Sequence, residues 1–567
     1  MDNNKPWLQN YDKGVPATLQ PYLNRTLIDV IRETAGLRPD HPALLFKGTK
    51  ISYSELDRLS DAFAQALITQ GIKKGDRVAI VMPNIPQFVI AEFGVWKAGG
   101  VVACINPLYT EYELTHALNE CGAETAIVMT LFYDKVKAVQ SKTKVKRVIA
   151  TNVKDYLPFI KRLLFTLLKE RKDGHRISLQ QGDFSFQDLV KKNKGAGKPA
   201  VAVGGFDNAI ILFTGGTTGL SKAAVGNHLG LVMSGMQIFA WFKPTLDEWK
   251  DNFLTALPLF HVFANAGVQP AAFMARATIT LIVNARDIPD VMKTIEETKA
   301  TFFPSVPTMF NAMLNHELVK TGKVDLTSIK LCISGAAALL QETKDRFEKL
   351  TGSRIVEGYA LTESMMAICC TPVNGKYKPG SIGMPVSDVS VRIADVQDAS
   401  KSLALGEGNV GEITIKAPQL MLGYWQRPDD TAEMLRDGEL FTGDLGYMDE
   451  DGYIFIVDRK KDVIKVSGFQ VWPREVEEVL ATHPSVMEVA VAGIPDPRTT
   501  EAVKTWIVLQ PGAKATAEEI QTFCKEKLTG YKVPRFIEFR STLPKSTIGK
   551  VLRRELVQEE LDKQKKA

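Results

Sequence analysis

The sequence predicts an α/β protein: a large N-terminal domain of parallel and mixed sheets flanked by helices, with a β-rich subdomain, and a small, mobile α+β C-terminal domain. Three observations predict it. Through about residue 450, apolar strand-like runs alternate with helical patterns, the rhythm of βαβ units whose parallel sheets carry helices on their faces. Near Gly411 the texture changes to short strands and turns. Beyond a charged knot at 458–462, about a hundred residues carry a compact α+β pattern, enough for a small independent domain. A chain of 567 residues is too long for one core, so the division is placed between 1–457 and 458–567, with Asp458 as the hinge. On charge alone the knot reads equally well as a solvated loop within one domain.

In chain order, 77–82 is a strand before a helix at 87–98, and 101–105 a strand before a helix at 111–121. Short strands at 210–213 and 223–225 flank a run of small residues and make a hairpin. A strand at 331–333 leads through small residues to a helix, and 354–356 is again a strand. Strands at 411–416 and 452–457 follow, the second after the turn 449–452. Pro473 opens a helix to about Thr482, as proline does at a first helical position. Strands around 486–493 and 502–509 and a helix at 517–528 complete the pattern.

Composition limits the function classes. The chain is 45% hydrophobic and 24% charged, as a soluble globular protein is. Its net charge of +5 is small and no dense basic block occurs, which argues against a nucleic-acid partner. The six cysteines are scattered without CxxC spacing, pointing to free thiols in a reducing, cytoplasmic compartment. The seven histidines form no metal-ligand spacing either. Residues 1–20 lack the apolar centre of a secretory signal. The uncharged run 253–275 is long enough to span a bilayer, but Pro258, His261, Asn265, Gln269 and Pro270 interrupt it, so buried core around a pocket is expected. At 159–172, Ile160, Leu163, Leu164, Leu167 and Leu168 share a helical face flanked by Lys161, Arg162, Lys169, Arg171 and Lys172. Two readings stay open there: a helix lying peripherally on the anionic inner face of a membrane, and a helix docked on its own domain.

Chemistry concentrates in glycine-rich segments. Thr214, Gly215, Gly216, Thr217, Thr218 and Gly219 precede Lys222 between two apolar runs. Glycines let successive N–H groups turn toward one point, threonine hydroxyls add donors, and lysine adds a mobile positive charge, which suits a polyphosphate. It is not a Walker loop: Leu220 and Ser221 break the spacing and Ala223 replaces the hydroxyl after lysine. A flexible surface hairpin is the alternative. Ser334, Gly335, Ala336 and Ala337 follow a strand, where small residues let a flat ring approach backbone. In 358–363, Gly358, Tyr359, Thr362 and Glu363 offer an aromatic, a hydroxyl and a carboxylate at a strand end. Asp444 is read at a turn after Thr442 and Gly443, suited to a ribose diol or simply to capping the turn. His261 lies inside the uncharged run, where alone it reads as a structural core histidine, and Lys550 beside Gly549 in a C-terminal loop, where alone it reads as a solvated lysine.

Together, these segments in this order resemble the acyl-adenylate-forming superfamily of acyl-CoA synthetases, firefly luciferases and peptide-synthetase adenylation domains, from about Thr26 onward. Within it, the stretches 421–428, 458–462, 466–469 and 528–534 look most like bacterial long-chain fatty-acid–CoA ligases. Ser221 stands where proline is common and Ala223 where glycine is common. The resemblance implies ATP-dependent activation of a long-chain fatty acid through an acyl-adenylate to acyl-CoA, with release of AMP and pyrophosphate; transfer to another acceptor, such as an acyl carrier protein, is the alternative. It implies Mg2+ as cofactor, held by Thr214 and Glu363, with ATP and CoA as co-substrates. It further implies that the loop 214–222 cradles phosphates and that Gly335, Ala336, Ala337, Gly358 and Tyr359 flank adenine, with Thr362 also on the nucleotide. Asp444 and Arg459 would take the ribose, Lys550 would bridge carboxylate and α-phosphate, and His261 would sit at the acyl pocket's mouth. Gly468 would shape the CoA channel after a rotation about Asp458. Met233, Met236, Phe260 and Phe263 are candidate pocket walls or plain core. A monomer and a homodimer both remain open.

Overall fold

A computed structural model of the chain describes residues 5–214, 221–459, 462–466, 469–496, 498–546 and 551–566. They form two compact units, each discontinuous in sequence. One comprises Met1–Pro379, Gly383–Ser390 and Lys416–Leu440; the other comprises Gly380–Ile382, Val391–Ile415 and Phe441–Ala567.

The first unit holds two large sheets. In the eight-stranded sheet the order is Gly423–Tyr424, Ala223–Asn227, Asn208–Phe213, Val101–Cys104, Arg77–Val81, Thr125–Met129, Arg147–Thr151 and Phe184–Ser185. From Asn208–Phe213 onward all neighbours are parallel. Their residues are almost continuously buried and apolar, because helices cover both faces of a parallel sheet. The nine-stranded sheet is likewise parallel at its centre, through Thr278–Leu281, Asn252–Thr255, Phe302–Ser305, Leu331–Ser334 and Arg354–Tyr359, with antiparallel strands at both ends. Helix ends follow local signals. The helix Glu111–Cys121 starts at a reciprocal cap between Thr110 and Glu113 and stops at Gly122, whose φ of 62° is left-handed.

The second unit carries the strands Gly411–Lys416, Glu439–Met448 and Ile454–Arg459, and then a C-terminal sheet. In that sheet the order is Phe469–Val471, Ile464–Val466, Thr500–Leu509 and Val486–Asp496, with Phe536–Phe539 also paired to Thr500–Leu509. Val476, Leu480, Val491, Ile507 and Ile520 fill its core. The helix opened by Pro473 ends at Ala481.

Two expectations change and one holds. The segment 441–444 is not a turn: it lies inside the strand Glu439–Met448, with Gly443 at φ 70°. The run 253–275 is largely buried core, as expected, and folds as a strand end, a π-helical turn at Phe263–Val268 and a short helix at Gln269–Met274. No described helix is long and apolar enough to cross a membrane. Finally, the helix Phe159–Leu168 is not docked: none of its residues is buried, and Phe159, Ile160 and Leu167 are 80%, 70% and 71% exposed. Only Phe165 turns partly inward, against the His175 ring at 5.3 Å between centroids.

Candidate functional site

The strands Asn208–Phe213 and Ala223–Asn227 pair antiparallel and present the candidate phosphate loop as a hairpin connection. Gly215, Gly216, Thr217, Thr218 and Gly219 lie outside the described residues, but the ends of the loop are described. Thr214 N–H donates to Lys222 O at 3.0 Å, and Lys222 N–H donates back to Thr214 Oγ1 at 3.1 Å. Ser221 O accepts from His116 Nε2 at 2.9 Å, so the residue standing in place of proline is anchored through its carbonyl. Ala223 is fully buried in the strand opposite Phe213.

Lys222 Nζ pairs with the Asp430 carboxylate, whose pKa it holds below the usual range. Nζ also lies 5.2 Å from the centroid of the Tyr424 ring, a cation–π contact. Tyr424 is placed by the short strand Gly423–Tyr424 against Ala223–Asn227. Its hydroxyl donates to Glu363 Oε1 at 2.6 Å, and burial together with that carboxylate pushes its pKa up. Met421 N–H donates to Glu363 O at 2.9 Å, tying the same stretch to the carboxylate's backbone. Arg427 completes the cluster, 3.2 Å from Asp430 and also hydrogen-bonded to Glu120. Thr214, Lys222 and Glu363 therefore converge through Tyr424 and Asp430. The sequence signal for Tyr424 was the stretch 421–428, legible only as a family mark because a lone tyrosine there has no distinctive spacing; Asp430, two residues beyond it, carried no signal.

Tyr359 and Gly358 end the strand Arg354–Tyr359 and border an apolar cavity with Trp241, Phe242, Phe263, Val268 and Met366. Gly358 is closely packed: a Cβ there would lie 2.8 Å from Ile333 Cδ1, which would have to move aside. At Gly335 a Cβ would meet the Phe263 ring at 2.8 Å. Ala336 has φ 68°, a strained conformation for alanine, and Ala336 and Ala337 are exposed at the loop's tip. Ser305 and Ser334, opposite one another at the ends of parallel strands, have buried hydroxyls without a hydrogen-bond partner. Thr362 is buried. Of the four candidate pocket walls, Phe263 stands in this cavity; Met233, Met236 and Phe260 do not line it.

His261 is positioned by a residue not singled out from the sequence. Asn84 Nδ2 donates to Thr255 O at 2.9 Å and Leu257 O at 2.7 Å, while its Oδ1 accepts from Leu259 N–H at 2.7 Å. The clamped segment then turns, with His261 N–H on Pro258 O at 3.0 Å, and His261 Nδ1 accepts from Phe263 N–H at 3.3 Å. That bond puts the proton of a neutral ring on Nε2.

The second unit holds Asp444, Asp458 and Arg459. Asp444 and Arg459 are register partners across two antiparallel strands, with Arg459 Nε 3.0 Å from Asp444 Oδ1. Asp458 is buried, not solvated, and burial raises its pKa. Its carboxylate accepts from Arg459 N–H at 2.7 Å and from Arg474 N–H at 2.9 Å, the latter capping the helix that Pro473 opens. Gly468 and Lys550 lie outside the described residues. Among the described residues no cluster of three or more His, Cys, Asp or Glu could hold a metal by itself.

Two family signatures match the chain: the AMP-binding enzyme family over residues 31–425 and the AMP-binding enzyme C-terminal domain over residues 475–550. The chain is 40% identical to a long-chain-fatty-acid–CoA ligase of Yersinia pestis, covering 98% of each. It is 38% identical to that of Bacillus subtilis (strain 168), covering 99% of each. Among solved structures, ATP-bound MatB from Rhodopseudomonas palustris is similar with a TM-score of 0.82 at 27% identity, over 95% of this chain and 99% of that one. An anthranilate CoA ligase in complex with anthranoyl-AMP is similar with a TM-score of 0.82 at 26% identity, over 95% and 97%.

Proposed function

The chain belongs to the AMP-binding enzyme family, and on that premise we infer that it activates a long-chain fatty acid with ATP, through an acyl-adenylate, to the CoA thioester. The observation that carries this reading is the convergence of Lys222, Tyr424, Glu363 and Asp430 at the ends of the 214–222 loop, beside full-length likeness to long-chain-fatty-acid–CoA ligases.

In the first half-reaction a carboxylate oxygen bonds to the α-phosphorus and the bond from that phosphorus to the bridging oxygen of pyrophosphate breaks. Two anions must meet, so fixed positive charge and aligned donors carry the catalysis. Lys222 exchanges Asp430 for the phosphates, and the backbone of Gly215, Gly216, Thr217, Thr218 and Gly219 donates to their oxygens. Glu363 and Thr214 are the residues that would hold Mg2+, which neutralises charge on the phosphates when bound. Gly335, Ala336, Ala337, Gly358, Tyr359 and Thr362 flank the base, and Asp444 with Arg459 takes the ribose. Lys550 bridges the acid and the α-phosphate. The apolar cavity bordered by Tyr359 takes the acyl chain, and His261 is the residue assigned to the entrance of the acyl pocket. In the second half-reaction the CoA thiolate attacks the acyl carbonyl and AMP leaves, with Gly468 at the thiol's entry and Asp458 as the hinge between the two steps.

The exposed helix Phe159–Leu168 supports a peripheral contact with an anionic membrane, because its apolar face is unburied and Lys161, Arg162, Lys169, Arg171 and Lys172 flank it. Pyrophosphate exchange with acids from acetate to oleate, with and without CoA, tests the whole reading. Exchange with long acids and thioester on CoA addition are expected. No AMP release with any aliphatic acid and CoA overturns it, and exchange without CoA thioester moves the acceptor to a carrier protein.

A further inference from the structure

The helix Pro86–Lys97 is buried along its whole length, yet it carries a carboxylate, Glu92, at zero exposure. A buried carboxylate without a cation costs far more than an apolar side chain of equal size, so its presence asks for a role. Asn265 Nδ2 donates to Glu92 Oε1 at 2.8 Å and Gln269 Nε2 donates to Oε2 at 2.5 Å. Asn265 also donates to Leu259 O at 2.9 Å, within the segment that Asn84 clamps. Among the described residues the titratable group facing this cluster is Cys104, 3.6 Å from Asn265 Nδ2, whose thiol burial keeps protonated.

Asn265 belongs to the π-helical turn Phe263–Val268, and Gln269 follows it directly. Such turns are rare and concentrate at functional positions. The opposite side of the same turn presents Phe263 and Val268 to the cavity. The turn is closely packed. A Cβ at Gly267 would lie 2.6 Å from Met366 Cγ, and Met365, Met366 and Ala367 hold φ of 48°, 81° and 26°, a strained run that packing must enforce. Phe263 also abuts Gly335, so a displacement of the turn reaches both the cavity and the adenine loop.

We propose that Glu92 is a positioning residue for acyl recognition: through Asn265 and Gln269 it pins the π-helical turn that walls the cavity and thereby sets which acid lengths the cavity accepts. This rests on reading the cavity as the acyl pocket. The pin has two settings. An ionised Glu92 takes both carboxamide N–H groups. A neutral Glu92 gains an O–H that needs an acceptor, and Asn265 Oδ1 and Gln269 Oε1 are buried acceptors without a partner. Protonation thus rotates one carboxamide and shifts the wall it sits on. Burial lifts the Glu92 carboxyl to about 7, so the two settings exchange near neutrality.

The test is the ratio of kcat/KM for tetradecanoate to that for octanoate, followed across pH in wild type, Glu92→Gln and Gln269→Met. Wild type is expected to change this ratio by about threefold between about pH 6 and 8, through KM and not kcat. Glu92→Gln, a neutral isostere, is expected to stay at the wild-type acid-limb value throughout. Gln269→Met removes one donor to the carboxylate and is expected to move the transition to higher pH. A Glu92→Gln profile that tracks wild type, or a Gln269→Met midpoint that does not move, overturns the proposal. Val268→Phe separates the premise: if filling the cavity leaves the length preference unchanged, the cavity is not the acyl pocket. If it shifts the preference while Glu92→Gln leaves the pH profile unaltered, only the positioning role falls.

Discussion

Tyr424 joins the two charges that matter most in the proposed phosphate site: its ring faces the Lys222 ammonium and its hydroxyl binds Glu363. Removing the hydroxyl leaves Glu363 without its orienting donor but keeps the ring in place. Tyr424→Phe should therefore raise the Mg2+ concentration for half-maximal pyrophosphate exchange by about tenfold or more, since a hydrogen bond to a charged group is worth about 1.5–3 kcal/mol. An unaltered metal titration would remove Glu363 from the metal's shell. Glu92 gives a stability prediction of definite sign. Its folded carboxyl titrates at about 7 against an ordinary 4.5, so the folded state holds the proton more tightly. The stability present at low pH is lost as pH rises from about 4.5 through 7, by at most about 3 kcal/mol. Glu92→Gln should match wild type near about pH 5 and exceed it near about pH 8 in urea unfolding; a gap that does not change with pH contradicts this.

Elements show where local signals suffice and where they do not. The helix Glu111–Cys121 was legible to the residue because its cap pair and its terminal glycine are written into adjacent positions. The hairpin around 214–222 was legible for a similar reason, since short apolar runs bracket the small residues. Asp444 was not: Thr-Gly-Asp reads as a turn, and only pairing with Arg459 on a neighbouring strand makes it part of a ladder. Nor did charge reveal that Asp458 is buried, because its partners are backbone N–H groups, one of them 16 residues away in sequence. The amphipathic helix at 159–168 had two readings, and exposure removed the docked one. If that helix lies on lipid, the double substitution Leu163→Glu and Leu167→Glu should abolish flotation with anionic vesicles while exchange with soluble octanoate persists. Equal flotation of both proteins ends the membrane proposal.

At the scale of the molecule, each compact unit gathers separate stretches of chain, and no linear reading yields such units. Glu363, Lys222 and Tyr359 belong to one; Asp444 and Arg459 belong to the other. The family likeness supplied the roles of these residues, whereas physical pattern alone had left Asp444, His261 and Lys550 with ordinary structural explanations. Lys550 is the sharpest test of a divided labour. Lys550→Ala should slow adenylate formation by about a hundredfold or more, yet still convert supplied acyl-adenylate and CoA to thioester. Equal loss in both half-reactions would refute the assignment.

If Lys222 takes the phosphates as proposed, its pairing with Asp430 also bears on turnover. An ammonium that waited bare in its loop would grip pyrophosphate as firmly as it grips the triphosphate, and the enzyme would choke on its own by-product. A resident carboxylate reclaims the ammonium as soon as the anion loosens, which sets a ceiling on how long the by-product can linger. Asp430→Asn should for that reason bind pyrophosphate more tightly as an inhibitor, trading speed of release for affinity.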